Sequence, residues 1–141
     1  MYIVVRNDDS ESYYPDNNAN HFRVKLSKAL KLESESSVGL CEIRISGNSD
    51  NHGLLGLNLD ICDGLILDGI QSNVLRKFNC KRNVHEAFPV IYYMPVEKLF
   101  LDTLEMYITD STGSIASLGA DVKVECTLHF KESCISPMSK M

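Results

Sequence analysis

Between Val122 and Lys131 the chain alternates without a break. Val122, Val124, Cys126, Leu128 and Phe130 fall on one parity, and Lys123, Glu125, Thr127, His129 and Lys131 on the other. A helix repeats every ~3.6 residues and cannot sort these side chains, whereas a strand sends successive residues to opposite faces. The segment therefore reads as an antiparallel strand with one face buried and one wet. The preceding run repeats the scheme, with Leu104, Met106 and Ile108 set against Glu105, Tyr107 and Thr109, and Asp110-Ser111-Thr112-Gly113 supplies a turn. From Phe100 onward the chain is thus two long strands joined by a turn, and it closes as an all-β structure.

The rest of the sequence gives short strands between turn signals. Met1 to Arg6 is a candidate edge strand, followed by a polar segment, Asn7 to Ser12, that has nothing to pack with. Tyr13-Tyr14-Pro15-Asp16-Asn17 reads as a fixed loop, because Pro15 locks its own φ and extends Tyr14 while Asp16 and Asn17 favour a turn. Phe22, Val24 and Leu26 alternate with Arg23, Lys25 and Ser27. Ser34 to Ser37 is a turn, and Val38 to Ile45 a mostly apolar strand whose parity slips near Cys41, as a bulge or two-sided burial would cause. Ser46 to Gly53 is the most loop-like stretch. Leu57, Leu59 and Ile61 then alternate with Asn58 and Asp60, and Asp63-Gly64 and Asp68-Gly69 bracket Leu65 to Leu67, predicting strands that fold back sharply. Val74 to Phe78 is a strand, Lys81 to Glu86 an exposed loop, and Pro89 to Met94 a strand ended by Pro95. No long segment carries a helical period; Leu26 to Leu32 comes nearest. About eight strands at 8–12-residue spacing favour a sandwich or jelly roll over an α/β fold.

Length and charge bound the function. A chain of 141 residues suffices for one domain with its own core. Its 14 basic and 19 acidic residues leave a net charge of −5, with no Lys/Arg block, which disfavours binding along a phosphate backbone. Sequence-specific nucleic-acid binding and membrane insertion are not expected, since no apolar run approaches ~18 residues, and the opening Met1 to Val5 is too short for a signal peptide. The product is expected to be cytosolic and soluble. The five cysteines, Cys41, Cys62, Cys80, Cys126 and Cys134, are odd in number and lack a C-x-x-C pair, so they read as reduced, buried small hydrophobes.

Candidate chemistry is sparse, and no enzyme, cofactor or metal is expected. Cys126 and His129 have a C-x-x-H spacing, but positions i and i+3 of a strand face opposite ways. His85-Glu86 could serve acid–base chemistry, yet no nucleophile motif accompanies it, and a solvated loop is the better reading. Asp60, Asp63 and Asp68 do not space as a calcium loop and are better explained by turns beside Gly64 and Gly69. Arg76, Lys77, Lys81 and Arg82 make the one positive cluster, read as a solvated strand end. His21, His52, His85 and His129 are too scattered for a cupin-like metal site. Tyr13, Tyr14, Tyr92 and Tyr93 are two adjacent pairs, in which one ring can join the core while the other offers aromatic area for an interface.

Several blocks, taken in order, carry a family resemblance. They are the apolar opening strand, Tyr14-Pro15-Asp16-Asn17, Phe22-Arg23-Val24-Lys25-Leu26, Val38-Gly39-Leu40-Cys41-Glu42-Ile43, Tyr93-Met94-Pro95-Val96, Phe100 to Thr109, Thr112-Gly113, and Val122 to Phe130 ending in Leu128-His129-Phe130. In this arrangement the chain resembles the penton-type minor capsid proteins of Polinton/Maverick elements and adintoviruses. The resemblance implies a single jelly roll, here over residues 1–131, and a homopentamer at the fivefold vertices of an icosahedral capsid, while the polar composition of 132–141, with Ser133, Ser136, Pro137 and Ser139, predicts a flexible tail. The implied partners are further copies of the chain and a double jelly-roll major capsid protein, with a host receptor also open to it. Synthesis in the host cytoplasm, assembly in the host nucleus and residence in the virion follow from the same resemblance. Ser36 and Ser37 stand where a bulky aromatic would be expected, and the short middle region leaves little room for an inserted spike domain.

Ring contacts are expected to involve the N-terminal strand, the loop residues Tyr13, Tyr14, Pro15, Asp16 and Asn17, and Tyr93 and His129, because terminal segments can pair with a neighbour's open edge. The alternative is a non-viral jelly-roll binding module of lectin or cytokine type. Such modules usually carry a signal peptide and paired cysteines.

Overall fold

The computed structural model describes residues 1–47, 53–62, 65–67, 70–80, 83–119 and 121–132. These contain eleven strands and no helix: β1 (Tyr2–Arg6), β2 (His21–Lys31), β3 (Ser37–Ser46), β4 (Gly53–Leu59), β5 (Leu65–Leu67), β6 (Ile70–Ser72), β7 (Val74–Cys80), β8 (Val84–Ala87), β9 (Tyr93–Pro95), β10 (Phe100–Thr109) and β11 (Lys123–Lys131). One sheet runs β1-β11-β3-β8, with β9 also paired to β3; a second runs β2-β10-β4-β7; β5 and β6 form a separate ribbon. All these pairings are antiparallel.

Eight principal strands pair in nested fashion, β1 with β11, β2 with β10, β3 with β8 and β4 with β7. A chain folded into one long hairpin and then wrapped so that successive arms enter different sheets is a jelly roll. The predicted fold class holds, with three short strands beyond the eight expected.

Alternation decides which face each strand buries. Val124, Cys126, Leu128 and Phe130 are all at most 4% exposed, and Leu104, Met106 and Ile108 are fully buried opposite them in the other sheet. The parity slip at Cys41 is a bulge: Thr127 faces Glu42 but Leu128 faces Leu40, so Cys41 is the extra residue. Residues 65–67 and 70–72 fold back on each other as predicted.

Other expectations need correction. The two long C-terminal strands lie in different sheets and do not pair. After the Asp110 turn the chain returns along β10 only briefly, through Ala116 N–H to Ile108 O (2.8 Å) and the Thr109–Ile115 bridge, before crossing to the other sheet. Each strand then buries its apolar face against the other layer. Pro89 to Met94 is not one strand, since only Tyr93–Pro95 pairs with β3, and Lys81 to Glu86 is not one loop, since β8 begins at Val84. Leu26 to Leu32, the stretch nearest to a helical period but not read as a helix, is strand over most of its length, with a register shift opposite Leu101 and Thr103. The Asn7 to Ser12 segment does pack. Asn7 and Ser10 are buried, Asn7 Oδ1 accepting from Val124 N–H (2.9 Å) and Ser10 Oγ from Lys25 N–H (2.9 Å), so polar side chains pin the loop to both sheets. The expected tail, apart from its first residue, and most of the Ser46 to Gly53 stretch lie outside the described residues.

Candidate functional site

On the outer face of the first sheet one cross-strand row collects aromatic groups. Tyr2 of β1 faces His129 of β11, His129 faces Gly39 of β3, and Gly39 faces Tyr93 of β9. The Tyr2 and His129 rings are 4.4 Å apart, Tyr93 meets His129 edge-on at 5.7 Å with its hydroxyl 2.7 Å from Nδ1, and Lys131 Nζ lies 4.7 Å over the Tyr93 ring. Gly39 makes this row possible, because a Cβ there would fall 2.4 Å from Ile91 Cγ2 and 2.9 Å from the Tyr92 carbonyl. Burial, then the nearby N-terminus and Lys131, hold the His129 pKa below its ordinary value, and burial raises that of Tyr93.

Two predicted interface residues, Tyr93 and His129, are therefore brought together. Their third partner, Tyr2, was legible only through its parity: it is 66% exposed, and with Val4 (45%) it forms an apolar strip along the outer side of an edge strand.

The other predicted residues lie elsewhere, against the second sheet. Tyr14 is half-buried, its hydroxyl 3.3 Å from Thr103 Oγ1, with the Arg23 guanidinium 6.0 Å over its ring, while Tyr13 stays exposed. Asn17 is structural: its amide donates to Arg23 O (2.7 Å) and its Oδ1 accepts from Arg23 N–H (2.9 Å), so it pairs with the edge strand as a backbone would. Tyr13, Tyr14, Pro15, Asp16 and Asn17 wall one side of a shallow hollow of about 350 Å³ closed by His21, Phe22 and Arg23.

A larger groove of about 800 Å³ went unforeseen. Leu54, Val74, Arg76, Tyr92 and Tyr107 line it, together with the 110–113 turn. Asn58 and Thr109 are buried beside it, the Asn58 amide lying 2.9 Å from Thr109 Oγ1 and 3.2 Å from both the Gly56 and Tyr107 carbonyls. Asn58 thus sits on the solvent parity without being solvated. Asp110 shapes the neighbouring turn by accepting from Thr112 N–H and Oγ1 and from Ser114 N–H, which keeps its pKa low.

Of the residues weighed for chemistry, His85, His21 and Asp60 are engaged in local pairs. His85 lies on β8 rather than in a loop, with Nε2 2.6 Å from Glu42 Oε1, and this bond together with Arg44 lowers the Glu42 pKa. Glu105 sits between His21 Nε2 (2.7 Å) and Arg23 Nε (3.0 Å); burial raises its pKa, but the two bonds outweigh it and the net shift is downward. Asp60 accepts from Glu105 N–H at 3.0 Å, and burial raises its pKa. Cys126 and His129 point to opposite faces, as the strand period requires. Arg76 is sandwiched 4.2 Å from Phe88 and 3.8 Å from Tyr92, not free in a basic patch, and Lys77 is exposed. Asp63, Asp68, Lys81, Arg82, His52 and Cys134 lie outside the described residues. Among the described residues, no three His, Cys, Asp or Glu side chains converge as metal ligands.

No family model matches the chain, and no curated protein matches it. Among solved structures it is similar to a mutant VP2 protein of infectious bursal disease virus, from derived T=1 particles, at 14% identity over 92% of this chain, with a TM-score of 0.24. The chain spans 31% of that chain, and a likeness this loose carries no argument about fold or function here.

Proposed function

We propose that the chain is a structural subunit, a capsid-type jelly-roll protein whose work is symmetric assembly rather than catalysis. The observation that carries the reading is the outer strip of β1, where Tyr2 and Val4 stay exposed on an edge strand beside the His129–Tyr93 pair. Apolar side chains at a sheet edge are ones a monomer has reason to hide, and burying them against another copy is the economical way to do so.

The blocks that resemble penton-type minor capsid proteins support the finer form of the proposal. In that form five copies make a ring at an icosahedral vertex, a double jelly-roll major capsid protein surrounds it, and the protein resides in the virion after synthesis in the host cytoplasm and assembly in the host nucleus. The test is the mass of the purified chain in solution by light scattering, with negative-stain images of the same peak. Rings of about five times the 15.8 kDa chain are expected; a monomer that also fails to co-purify with a double jelly-roll shell protein would refute the proposal.

A second reading, a ligand-binding module, is favoured by the groove of about 800 Å³ beside Asn58 and Tyr92, a volume within the range of small-molecule sites. A glycan array is the direct test. Binding abolished by Tyr92→Ala would move this reading ahead.

A further inference from the structure

Sheet edges are where one chain can add to another, and the four principal edges of this sandwich are not alike. The β2 edge carries Arg23, Lys25, Lys28 and Lys31 and a register break, both of which discourage pairing. Arg76 of β7 is covered by Phe88 and Tyr92. Pro95 leaves β9 without one of its donors. Among the described residues the β1 and β8 edges carry no row of lysines, no register break and no proline, and Arg6 is engaged by Asp9 and Glu125 and His85 by Glu42.

Register shows which of their backbone groups are free. Phe130 N–H donates to Met1 O (2.8 Å) and Asn7 N–H to Val124 O (3.2 Å), and the β1–β11 register is unbroken between them. Residues 1, 3, 5 and 7 therefore bond to β11, and Tyr2, Val4 and Arg6 turn their N–H and C=O groups outward. Asp9 satisfies position 6, its Oδ2 accepting from Arg6 N–H (3.0 Å) and its own N–H donating to Arg6 O (3.2 Å). The open slot is Tyr2 and Val4. Carried across β11 and β3, the same alternation sends Val84 and Glu86 toward β3 and leaves His85 and Ala87 facing outward on β8. Among the described residues both edges thus leave two residues unpaired, i and i+2, and each pair has its side chains on the outer face.

We propose that β1 of one copy adds antiparallel to β8 of the next, Tyr2 opposite Ala87 and Val4 opposite His85, so that the first sheet continues from subunit to subunit. Along that sheet every strand already opposes its neighbour, and β1 runs opposite to β8. An antiparallel β1–β8 junction therefore holds all copies in one orientation, which a closed head-to-tail ring demands. Four backbone hydrogen bonds form at each junction, and the exposed Tyr2 ring covers the small Ala87. This inference rests on the assembly reading above.

The test uses the full chain. Val4→Pro removes an outward N–H and leaves the β11 ladder intact; Ala87→Pro does the same on β8. Val4→Lys is the companion in case a proline unfolds the chain, since that side chain is already exposed. Each folded variant, checked by circular dichroism, is expected to lose the ring mass entirely. An equimolar mixture of Val4→Pro and Ala87→Pro is expected to give dimers and nothing larger, because one intact junction remains per pair. If the wild type forms rings and folded Val4→Pro and Ala87→Pro also do, the junction is wrong while the assembly reading survives. If Val4→Pro blocks assembly and Ala87→Pro does not, β1 pairs with another edge and the proposal is overturned. A wild type that stays monomeric with and without a shell partner sinks both.

Discussion

Replacing Gly39 by alanine tests the aromatic row more directly than removing any of its rings. The added Cβ would lie 2.4 Å from Ile91 Cγ2, 2.9 Å from Tyr92 O and 3.3 Å from Tyr93 Cδ1, where unstrained carbon contacts begin near ~3.5 Å. Ile91 can rotate away, but the Tyr92 carbonyl is backbone and moves only if residues 91–93 lift from the sheet. Overpacking of this kind costs about 1–3 kcal/mol. Lifting Tyr93 also stretches its 2.7 Å bond to His129, worth about 0.5–1.5 kcal/mol net. The expected loss is about 2–4 kcal/mol, or a fall in Tm of roughly 5–12 °C for a chain of this size. Thermal and urea unfolding followed by circular dichroism measure it. Gly56→Ala is the control: its Cβ would be 3.1 Å from a Val74 methyl, a side chain able to yield, and should cost under about 1 kcal/mol. By NMR, the His129 pKa should rise in Gly39→Ala toward the ordinary ~6.5 as its cover lifts. A loss no greater than that of Gly56→Ala, with His129 unmoved, would refute the account of this row.

Asn58→Asp exchanges a donating amide for a carboxylate beside the Gly56 and Tyr107 carbonyls, so a loss of at least about 2–3 kcal/mol is expected at neutral pH. The new carboxyl's folded pKa would be raised, so the loss should grow as pH climbs from ~4 and shrink below it; a pH-independent loss in urea melts would contradict this. Wild-type stability should weaken as pH falls below the ordinary His range of ~6.5, since unfolded His129 takes up its proton before the folded one does, whereas His129→Gln should flatten that part of the profile. Burial pushes the Cys62 and Cys126 thiols up to about 12, so peptide mass spectrometry after alkylation at pH 8 should find both unmodified until the chain is unfolded. Prompt labelling of either in the folded protein would contradict their placement.

The alternation at Val122 to Phe130, the slip at Cys41 and the turn at Asp110 were all readable along the chain, and each is where local geometry puts it. The strand period is a property of the backbone itself, so side-chain parity fixes the buried face before any partner is known. Cys126 inward and His129 outward followed from this alone. Pairing is different, because the hydrogen bonds that sort strands into sheets join residues far apart in sequence and leave no mark on the neighbours of either. For that reason β10 and β11 read as one continuous unit and lie in separate sheets, and residues 84–86 read as loop until β3 came alongside.

The candidate site divides in the same way. His129 was identifiable as a polar residue on a wet face and Tyr93 as one of an adjacent tyrosine pair, but their contact depends on the missing side chain of Gly39, which means nothing until residues 91–93 cross above it. Tyr13, Tyr14 and Asn17 were identifiable as a loop, and only the tertiary structure placed them against the other sheet. Asn58 had solvent parity and is buried all the same, because the groove beside it is built from β4, β7, β10 and the 110–113 turn together. The sequence by itself determined that this chain must be layered β-structure and which residues face its interior. The wrapping of the chain decided which edges stay open, since an edge is defined by the absence of a neighbour, and that depends on where every other strand has gone.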